Sequence, residues 1–402
     1  MSNIQNTTIA EVTVPTLAAE LAQVPDPRDR KGRRYEWLYL LEVVAVGLLT
    51  GQRGIRAVAQ WAQEHAGELI ASLQPKRARV PSVATLYRVV SDVPIEELEA
   101  RVSHYCAALD AADASQGRIV TEQGEELRGQ SLDGKTVRGA SAHGTTHHLV
   151  SLVRHESGLV LAQAEAAVKL DERKVALELL TPEQVAGTVT TLDALHTQRK
   201  EAEAILAGGG DYLMVVKRNQ RGLFEAIELA FSSLPPTTPA DAADAQAWEY
   251  AQMETVGKAH GRLEVRTLER MTGLNRYLDW PGLGQVLRRT TQRTRLRTGE
   301  TTSQVRYAIT SLVPDRVSLA QTEQAWRWHW TIENQVHYVR DVSMGEDAGQ
   351  VRSGTAVQAL AALRNAVIAL LRTEGWPCLP TAFRHFAAHP QLALRILGAN
   401  TS

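Results

Sequence analysis

Apolar residues are arranged differently in the first part of the chain and in the remainder. Up to about Ile119 the sequence predicts helices, because residues 37–61 are rich in Leu, Val and Ala and residues 81–100 have the same character. Ser82, which follows a proline, is expected to cap a helix. The polar residues 110–129 predict a linker between this helical part and the rest of the chain.

The pattern after Gly129 predicts alternating strands and helices. Short apolar or β-branched runs predict strands over residues 130–136, 148–154, 159–164, 188–192 and 212–217. Helices are predicted over residues 172–180 and 198–206. Three early strands followed by strand–helix alternation indicate an α/β domain with a mixed sheet. Residues 248–312 are mostly strand-like, and two helices are predicted after them, over residues 319–339 and 356–372.

Composition limits the classes of protein without choosing among them. A chain of 402 residues predicts two or three domains, and its apolar content of 44% suffices for a buried core. The net charge of −1 neither indicates nor excludes a nucleic-acid partner. The two cysteines lie far apart without CxxC spacing, which argues against a disulfide scaffold or a thiolate zinc site and suits a reducing cytosol. The apolar runs are too short or too interrupted for a membrane span, so we expect a soluble cytoplasmic protein with no membrane partner.

Two aspartates stand where predicted strands give way to turns. Asp133 follows residues 130–132 and precedes a glycine, and Asp193 follows the β-branched residues 188–192. Side chains at the carboxyl ends of neighbouring strands can converge, and Mg²⁺ prefers a few carboxylate oxygens together with retained waters. Both are therefore candidate metal ligands, although either one taken alone is better explained as a turn or helix-capping residue.

A third acid, Glu333, lies on one face of the helix predicted over residues 319–339. That face mixes aromatic, acidic and basic side chains at steps of three and four residues: Trp326, His329, Trp330, Glu333, His337 and Arg340. A purely structural face would more often carry Leu, Val or Ala. The alternative is an amphipathic helix that packs its tryptophans and exposes an ion pair between Glu333 and Arg340, which is the better explanation of the helix taken alone.

Together, several segments resemble successive motifs of the DDE transposases of H-repeat-associated bacterial insertion sequences. They are QSLDGKTVRG at residues 130–139, TLDA at 191–194, GDYLMVVKRNQ at 210–220, HWTIEN at 329–334 and GED at 345–347. Residues 26–29, 56–61 and 81–82 resemble the N-terminal region of that family. The resemblance covers nearly the whole chain, with the motifs in the same order.

The resemblance implies an α/β fold made of a ribonuclease H-like catalytic domain, a mostly β insertion and a helical N-terminal domain. The helical domain, expected to bind DNA, would comprise residues 1–119. The catalytic domain would comprise residues 130–220 and 313–375, with the β-rich insertion at 221–312 and a C-terminal tail at 376–402.

The resemblance also implies metal-dependent cleavage of double-stranded DNA at terminal inverted repeats, followed by strand transfer into target DNA by a homodimer in a synaptic complex. Asp133, Asp193 and Glu333 would be the catalytic residues and would hold Mg²⁺, for which Mn²⁺ can substitute, in a two-metal mechanism. The family signature Tyr-x2-Arg-x3-Glu-x6-Lys is altered here, because its Tyr, Arg and Lys positions hold Trp326, His329 and Arg340.

Basic and polar residues near these motifs are candidate DNA contacts. Lys135, Lys217 and Asn219 lie beside the catalytic strands, and His329 and Arg340 lie on the last predicted helix of the motif series. Five further candidates lie within ten residues of the insertion and could follow a phosphate backbone: Arg288, Arg289, Arg293, Arg295 and Arg297. The alternative for these five is a solvated strand face.

Two other functions stay open at this point. One is a non-catalytic DNA-binding protein derived from a transposase, and the other is a metal-dependent nuclease that cuts DNA without joining it. The presence of all three acids argues against the first, and strand-transfer products would separate a transposase from the second.

Overall fold

The N-terminal part of the chain is helical in the computed structural model, which describes residues 14–113, 118–142, 145–166, 171–233, 250–349, 351 and 355–399. Its helices are α1 (Leu17–Leu21), α2 (Trp37–Leu49), α3 (Ile55–Glu64), α4 (Ala66–Leu73), α5 (Val83–Asp92) and α6 (Ile95–Ala112). The predicted cap at Ser82 is confirmed, because its hydroxyl accepts a hydrogen bond from the Thr85 amide at 3.3 Å at the start of α5. Helix α2 is buried on nearly all sides, which explains its almost uninterrupted apolar sequence.

The described strands form one mixed sheet, so the predicted α/β class is confirmed. They are β1 (Arg118–Val120), β2 (Glu126–Ala142), β3 (Thr145–Arg154), β4 (Val160–Ala166), β5 (Thr188–Leu192), β6 (Asp211–Val216), β7 (Ala251–Ala259), β8 (Arg262–Met271), β9 (Gln285–Arg295) and β10 (Thr301–Thr310). Their order is β4-β3-β2-β5-β6-β10-β9-β8-β7, with β1 paired to β2. Strands β2, β3 and β4 are antiparallel neighbours, whereas β5 is parallel to β2 and β6 is parallel to β5.

The linker is shorter in the structure than the sequence predicts. Helix α6 extends to Ala112, and strands β1 and β2 occupy most of the segment from 118 to 129. Residues 114–117 lie outside the described ranges. The polar composition of this segment belongs partly to an edge strand, which tolerates polar residues because one side of it faces water.

The strands of the predicted insertion extend the sheet formed by β2 to β6 instead of forming a separate one. Strand β10 pairs antiparallel with β6, and Ala308 lies opposite Val215. Strands β7 to β10 then continue the sheet as antiparallel neighbours. The part of β10 that extends beyond its pairing with β6 is exposed, since β10 changes from exposed at Thr301 to buried at Thr310.

Helices cover both faces of the central part of the sheet. Those that follow the early strands are α7 (Glu172–Leu179), α8 (Pro182–Val185), α9 (Arg199–Ala207) and α10 (Arg221–Ser232), and α11 (Leu319–Trp328) comes after β10. Leu132 and Leu192 share a core with α7, α9 and α10, whereas Val189 shares a core with Trp326 of α11. Because side chains alternate along a strand, Asp133 and Lys135 face the α11 side of β2, opposite to Leu132.

The helix predicted over residues 319–339 contains two kinds of helical turn. Helix α11 begins with a capping box at Ser318 and ends at Trp328, and π-helical turns follow over Ile332–His337 and Val339–Ser343. π-helical turns are rare and occur frequently at functional sites. Glu333 lies in the first of these turns, on the side of the sheet that Asp133 faces.

The C-terminal helices complete the helical body around α2 and α6. They are α12 (Ala356–Thr373), α13 (Leu379–Ala388) and α14 (Pro390–Leu397). The sequence predicts only a tail over residues 376–402, but Leu379, Phe383 and Leu394 are buried in the same core as α2. Helix α12 is long and apolar enough to cross a membrane, yet 83% of it is buried inside the structure, as in the core helix of a globular domain.

Candidate metal centre

Asp133 lies inside strand β2, which corrects the expectation that the strand ends there. The pairing of β2 with β5 ends where Leu132 lies opposite Leu192, and beyond that point β2 continues to pair with β3, so that Asp133 lies opposite Ser151. One carboxylate oxygen of Asp133, Oδ1, accepts a hydrogen bond from the Gly134 amide at 2.9 Å. Asp133 therefore stands where the neighbouring strand has just ended, which leaves space beside it.

Asp193 follows β5 directly, as the sequence predicted, and the register places it beside Asp133. Neighbouring strands lie about 4.8 Å apart, so the two backbones are close at this point. The Asp193 Oδ1 accepts hydrogen bonds from the amides of Leu195 at 2.8 Å and His196 at 3.2 Å. The carboxylate of Asp193 therefore stabilises the turn after β5 and also lies next to Asp133. A role as a turn residue and a role as a metal ligand are thus compatible.

Glu333 and His337 come to Asp133 from the first π-helical turn. The Glu333 Oε2 and the His337 Nδ1 are 2.9 Å apart, and the side chain of Glu333 is 56% exposed while that of His337 is 6% exposed. One potential ligand atom from each of Asp133, Glu333 and His337 lies within 4.8 Å of those of the other two. Asp193 is not part of this set, although its charge acts on Asp133.

The electrostatics of the centre favour a bound cation. Burial, together with the charges of the nearby carboxylates Asp193 and Glu333, raises the pKa of Asp133 to about 7. The hydrogen bond with His337 lowers the pKa of Glu333, whereas burial lowers that of His337. Two carboxylates and a neutral imidazole are a suitable ligand set for a divalent cation, and a cation would offset the repulsion among the acids. The residues present therefore fit a divalent metal ion.

His337 is a candidate ligand that the sequence indicated only as one member of a helical face. The signal was present, because His337 follows Glu333 by four residues and positions i and i+4 lie on the same side of a helical turn. The burial of His337 and its contact with Glu333 emerge only from the fold.

A group of hydrogen-bonded hydroxyl and imidazole side chains holds the π-helical segment to the central strands. The His329 Nδ1 is 3.0 Å from the Thr191 hydroxyl, and the His155 Nε2 is 2.9 Å from the Ser131 hydroxyl. Burial lowers the pKa of His329 to about 4, so the ring is neutral near pH 7. His329 is a candidate DNA contact, but a neutral, partly buried ring supplies no positive charge to a phosphate, and in this structure it ties the segment to β5.

Arg340, a candidate DNA contact from the sequence, is buried and bonded inside the fold. Its guanidinium is fully buried and donates to Glu346 through Nε at 3.0 Å and through Nη2 at 2.9 Å. Arg364 donates to the same carboxylate at 3.2 Å. Lys135 is 7% exposed and lies 2.5 Å from Asp341 and 3.4 Å from Glu346. Arg340 and Lys135 are therefore paired with acids inside the fold, and the charge of Lys135 also acts on Glu333.

The five arginines of the insertion do not form one surface. Arg289 is 5% exposed, lies over the Trp326 ring at 4.3 Å and pairs with Glu323 at 3.7 Å, so its guanidinium is held in the core. Arg288 is partly buried, with its side chain 25% exposed; it pairs with Glu269 at 2.5 Å and stacks over Phe231. The more exposed members are Arg293, Arg295 and Arg297.

Lys217 and Asn219, which follow β6, lie near the candidate centre. The Asn219 side chain donates to the Ala194 carbonyl at 2.6 Å, so it holds the turn that carries Asp193. Lys217 is exposed, and its charge acts on His329. Of the two, Lys217 is the better candidate for a phosphate contact.

A basic cavity that the sequence did not predict lies on the extension of the sheet. It is formed by β7, β8, β9 and α11, and basic side chains predominate in its lining: Lys258, His260, Arg262, Arg266, Arg293 and Arg327, with Glu264 as the acid. Glu264 pairs with Arg266 and Arg293, which leaves an excess of positive charge. These residues come from four separate elements, so no single basic segment of the sequence predicts the cavity.

The fold and the site define an α/β protein with a carboxylate-rich candidate centre for a divalent cation. Residues 124–371 match the family model described as Transposase DDE domain, and residues 18–106 match the model described as DDE_Tnp_1-associated. The chain belongs to the DDE transposase family, which confirms the resemblance found in its motifs.

Several curated relatives carry names that agree with this assignment. The protein named "Putative transposase YncI" of Escherichia coli O157:H7 is 25% identical over 367 residues, which are 90% of this chain and 88% of that protein. The "H repeat-associated putative transposase YhhI" of Escherichia coli K12 is 25% identical over 364 residues, which are 89% of this chain and 90% of that protein. These relatives confirm the H-repeat-associated type.

Among solved structures, the chain is similar to a piggyBac transposase in a synaptic complex with hairpin DNA. The alignment covers 96% of this chain and 78% of that one, with 8% identity and a TM-score of 0.41. A likeness at this level carries no conclusion about the present chain.

Proposed function

We propose that the chain is an insertion-sequence transposase that cleaves DNA at the terminal inverted repeats of its element and joins the freed ends to target DNA. Asp133, Asp193 and Glu333 would hold the divalent cations, Mg²⁺ or Mn²⁺. The observation that carries this proposal is the approach of Asp133 and Glu333, which are far apart in the chain but have ligand atoms within 4.8 Å of each other. Membership of the DDE transposase family supplies the reaction class.

The strand arrangement supports a ribonuclease H-like catalytic core. Three antiparallel strands, β2 to β4, are followed by β5 parallel to β2 and β6 parallel to β5. In this proposal residues 130–220 and 313–375 form the catalytic domain, although α12 also packs into the helical body. Residues 221–312 would be an insertion that enlarges the catalytic sheet.

The proposed chemistry needs an activated oxygen nucleophile and a stabilised leaving oxygen, which bound divalent cations supply. Asp133 would hold a cation from the rigid centre of the sheet, and Glu333 would approach from the π-helical turn. Asp193 would bind a cation through Oδ2, because its Oδ1 accepts both hydrogen bonds of the turn. Lys217, exposed at the end of β6, would neutralise a phosphate beside the scissile bond.

The proposed partner is double-stranded DNA, bound along the basic cavity between β7, β8, β9 and α11. Its cations come from several elements and could follow a phosphate backbone. Arg295 and Arg297 at the exposed end of β9 would extend this surface. Cleavage of two element ends and their joining would be carried out by a homodimer in a synaptic complex, in the cytoplasm of a bacterium.

The proposal is tested with purified protein, terminal-repeat DNA, a supercoiled target plasmid and Mg²⁺. Asp133→Asn should lower the cleavage rate by about 100-fold or more, because it removes a ligand and not merely a neighbour of one. The matched control is Asp279→Asn, the same change at a carboxylate that is 96% exposed. The control should cleave like the wild type, and both variants should still bind DNA.

Each remaining outcome has a distinct meaning. Cleavage at the wild-type rate by Asp133→Asn would contradict the metal assignment. Cleavage by the wild type without joined products on the plasmid would favour a nuclease. DNA binding by the wild type without any cleavage would favour a non-catalytic DNA-binding protein.

A further inference from the structure

His337 lies in the candidate centre in addition to the three acids, and a triad of acids does not require a histidine there. It follows Glu333 by four residues in the π-helical segment, and one of its ring nitrogens lies within 4.8 Å of ligand atoms of both Asp133 and Glu333. The residue is 5% exposed. A buried imidazole among carboxylates is a suitable ligand for a transition-metal ion.

The hydrogen bonding of this ring is incomplete. Its Nδ1 lies 2.9 Å from the Glu333 Oε2, whereas its buried Nε2 has no hydrogen-bond partner among the described residues. A buried polar atom without a partner destabilises the folded state by about 1–3 kcal/mol, so such atoms call for an explanation. A metal ion bound at Nε2 would remove the deficit, while Nδ1 keeps its contact with Glu333.

We propose that His337 is a ligand of the metal ion held by Asp133 and Glu333, and that this nitrogen donor makes the centre prefer Mn²⁺ to Mg²⁺. The inference rests on the proposed function, since it assigns a further ligand to the same site. Mg²⁺ binds mainly oxygen ligands and retains several waters, whereas affinity for imidazole-containing sites increases from Mn²⁺ along the first transition row.

The competing explanation is that His337 only orients Glu333. A ring that donates from Nδ1 to a carboxylate is a common way to fix a side chain, and it needs no metal. This explanation accounts for the contact with Glu333 but not for the proximity of the ring to Asp133, nor for the unpartnered Nε2. The two explanations differ in whether a nitrogen atom binds the metal, which spectroscopy can detect directly.

The experiment uses the full-length protein with bound Mn²⁺ and pulsed electron paramagnetic resonance. A directly bound imidazole gives a ¹⁴N coupling on the Mn²⁺ signal, and labelling of histidine with ¹⁵N identifies its source. The wild type should show this coupling. His337→Asn retains an amide donor near the position of Nδ1 and so can still orient Glu333, but it should abolish the coupling.

Affinity measurements complete the test. His337→Asn should weaken Mn²⁺ binding by about tenfold or more while changing Mg²⁺ binding, measured by competition, by a smaller factor. His147→Asn is the matched control, since His147 is also a buried ring whose Nδ1 contacts a glutamate, Glu165, but it lies on β3 and is not part of the set of ligand atoms. It should retain both the nitrogen coupling and the Mn²⁺ affinity.

Mn²⁺ bound to the wild type without a nitrogen coupling would overturn the role of His337 and leave the carboxylate centre intact. Persistence of the coupling in His337→Asn, or its loss in His147→Asn, would overturn it as well. An absence of Mn²⁺ binding by the folded wild type would overturn the proposed metal centre together with this inference. If circular dichroism shows that His337→Asn does not fold, His337→Gln replaces it in the same measurements.

Discussion

Substitution of Glu346 by Gln should destabilise the protein strongly, although the residue lies in a motif that accompanies catalytic acids. The Glu346 carboxylate accepts hydrogen bonds from Arg340 at 2.9 Å and Arg364 at 3.2 Å and lies 3.4 Å from the Lys135 ammonium. The exposed fractions of these cations are 0%, 3% and 7%. Removal of the negative charge would leave buried cations without compensation.

The expected magnitude comes from two independent arguments. Breaking a buried ion pair by removing one partner costs about 3–5 kcal/mol. Burial alone would raise the pKa of Glu346, but the charges of Arg340, Arg364 and Lys135 outweigh it and lower the pKa from 4.5 to about 2. That difference corresponds to roughly 3 kcal/mol of stability. We therefore expect Glu346→Gln to lower the free energy of unfolding by about 3–5 kcal/mol at pH 7.

The pH dependence gives the sign of the effect. Because the folded-state pKa lies below the ordinary value, the stabilising contribution is fully present above about pH 4.5 and is lost as the pH falls towards 2. Glu346→Gln and the wild type should therefore differ strongly at pH 7 and only slightly near pH 2. The assay is urea unfolding monitored by tryptophan fluorescence in EDTA, so that metal binding does not contribute.

Asp347→Asn is the control for this substitution. The Asp347 side chain is 30% exposed and lies 3.6 Å from Lys135, so its loss should cost less than about 1 kcal/mol. Wild-type stability of Glu346→Gln at pH 7 would refute the reasoning. If the variant kept that stability but lost DNA cleavage, Glu346 would belong to the reaction centre instead.

Three further predictions concern the candidate centre and the basic cavity. Burial and the charge of Asp193 raise the pKa of Asp133 to about 7, so protons should compete with Mg²⁺ at lower pH. The apparent Mg²⁺ affinity of the wild type, measured by calorimetry, should fall by up to about tenfold per pH unit below 7. Asp133→Asn should not show this dependence. Thr191→Val removes the hydroxyl that contacts His329 and should cost about 1–3 kcal/mol in urea unfolding, and an unchanged midpoint would contradict the structural role of this contact. The double substitution of Lys258 and Arg262 by Ala should reduce the salt dependence of DNA binding by about 2 in the log–log slope, whereas an unchanged slope would place DNA elsewhere.

The local elements of this fold could be predicted because their apolar patterns are regular. Strand β5 was predicted with its observed bounds, and the cap at Ser82 was predicted from one polar residue after a proline. The π-helical turns could not be predicted, because residues 329–343 have the composition of an ordinary amphipathic helix. Their wider turns depend on packing against the sheet, which the local sequence does not encode.

The sequence also could not distinguish exposed cations from buried ones. Arg289 and Arg297 belong to the same basic run, yet one is buried over Trp326 and the other is exposed. The difference depends on which elements cover β9, and α11 comes from a later part of the chain. Likewise, the sequence places Arg340 on a helical face with Glu333, but it does not show that Glu346, six residues further on, pairs with Arg340 inside the fold.

The central claim is that Asp133, Asp193 and Glu333 surround one cation pocket, and metal-directed cleavage of the protein tests it most directly. Fe²⁺ is expected to occupy a carboxylate and imidazole site of this kind, and with ascorbate and peroxide it generates hydroxyl radicals that cut the nearby backbone. Mass spectrometry should find cuts close to positions 133, 193 and 333, and excess Mn²⁺ should suppress all three. Cuts confined to other segments, or a segment among these three that is never cut, would contradict the account.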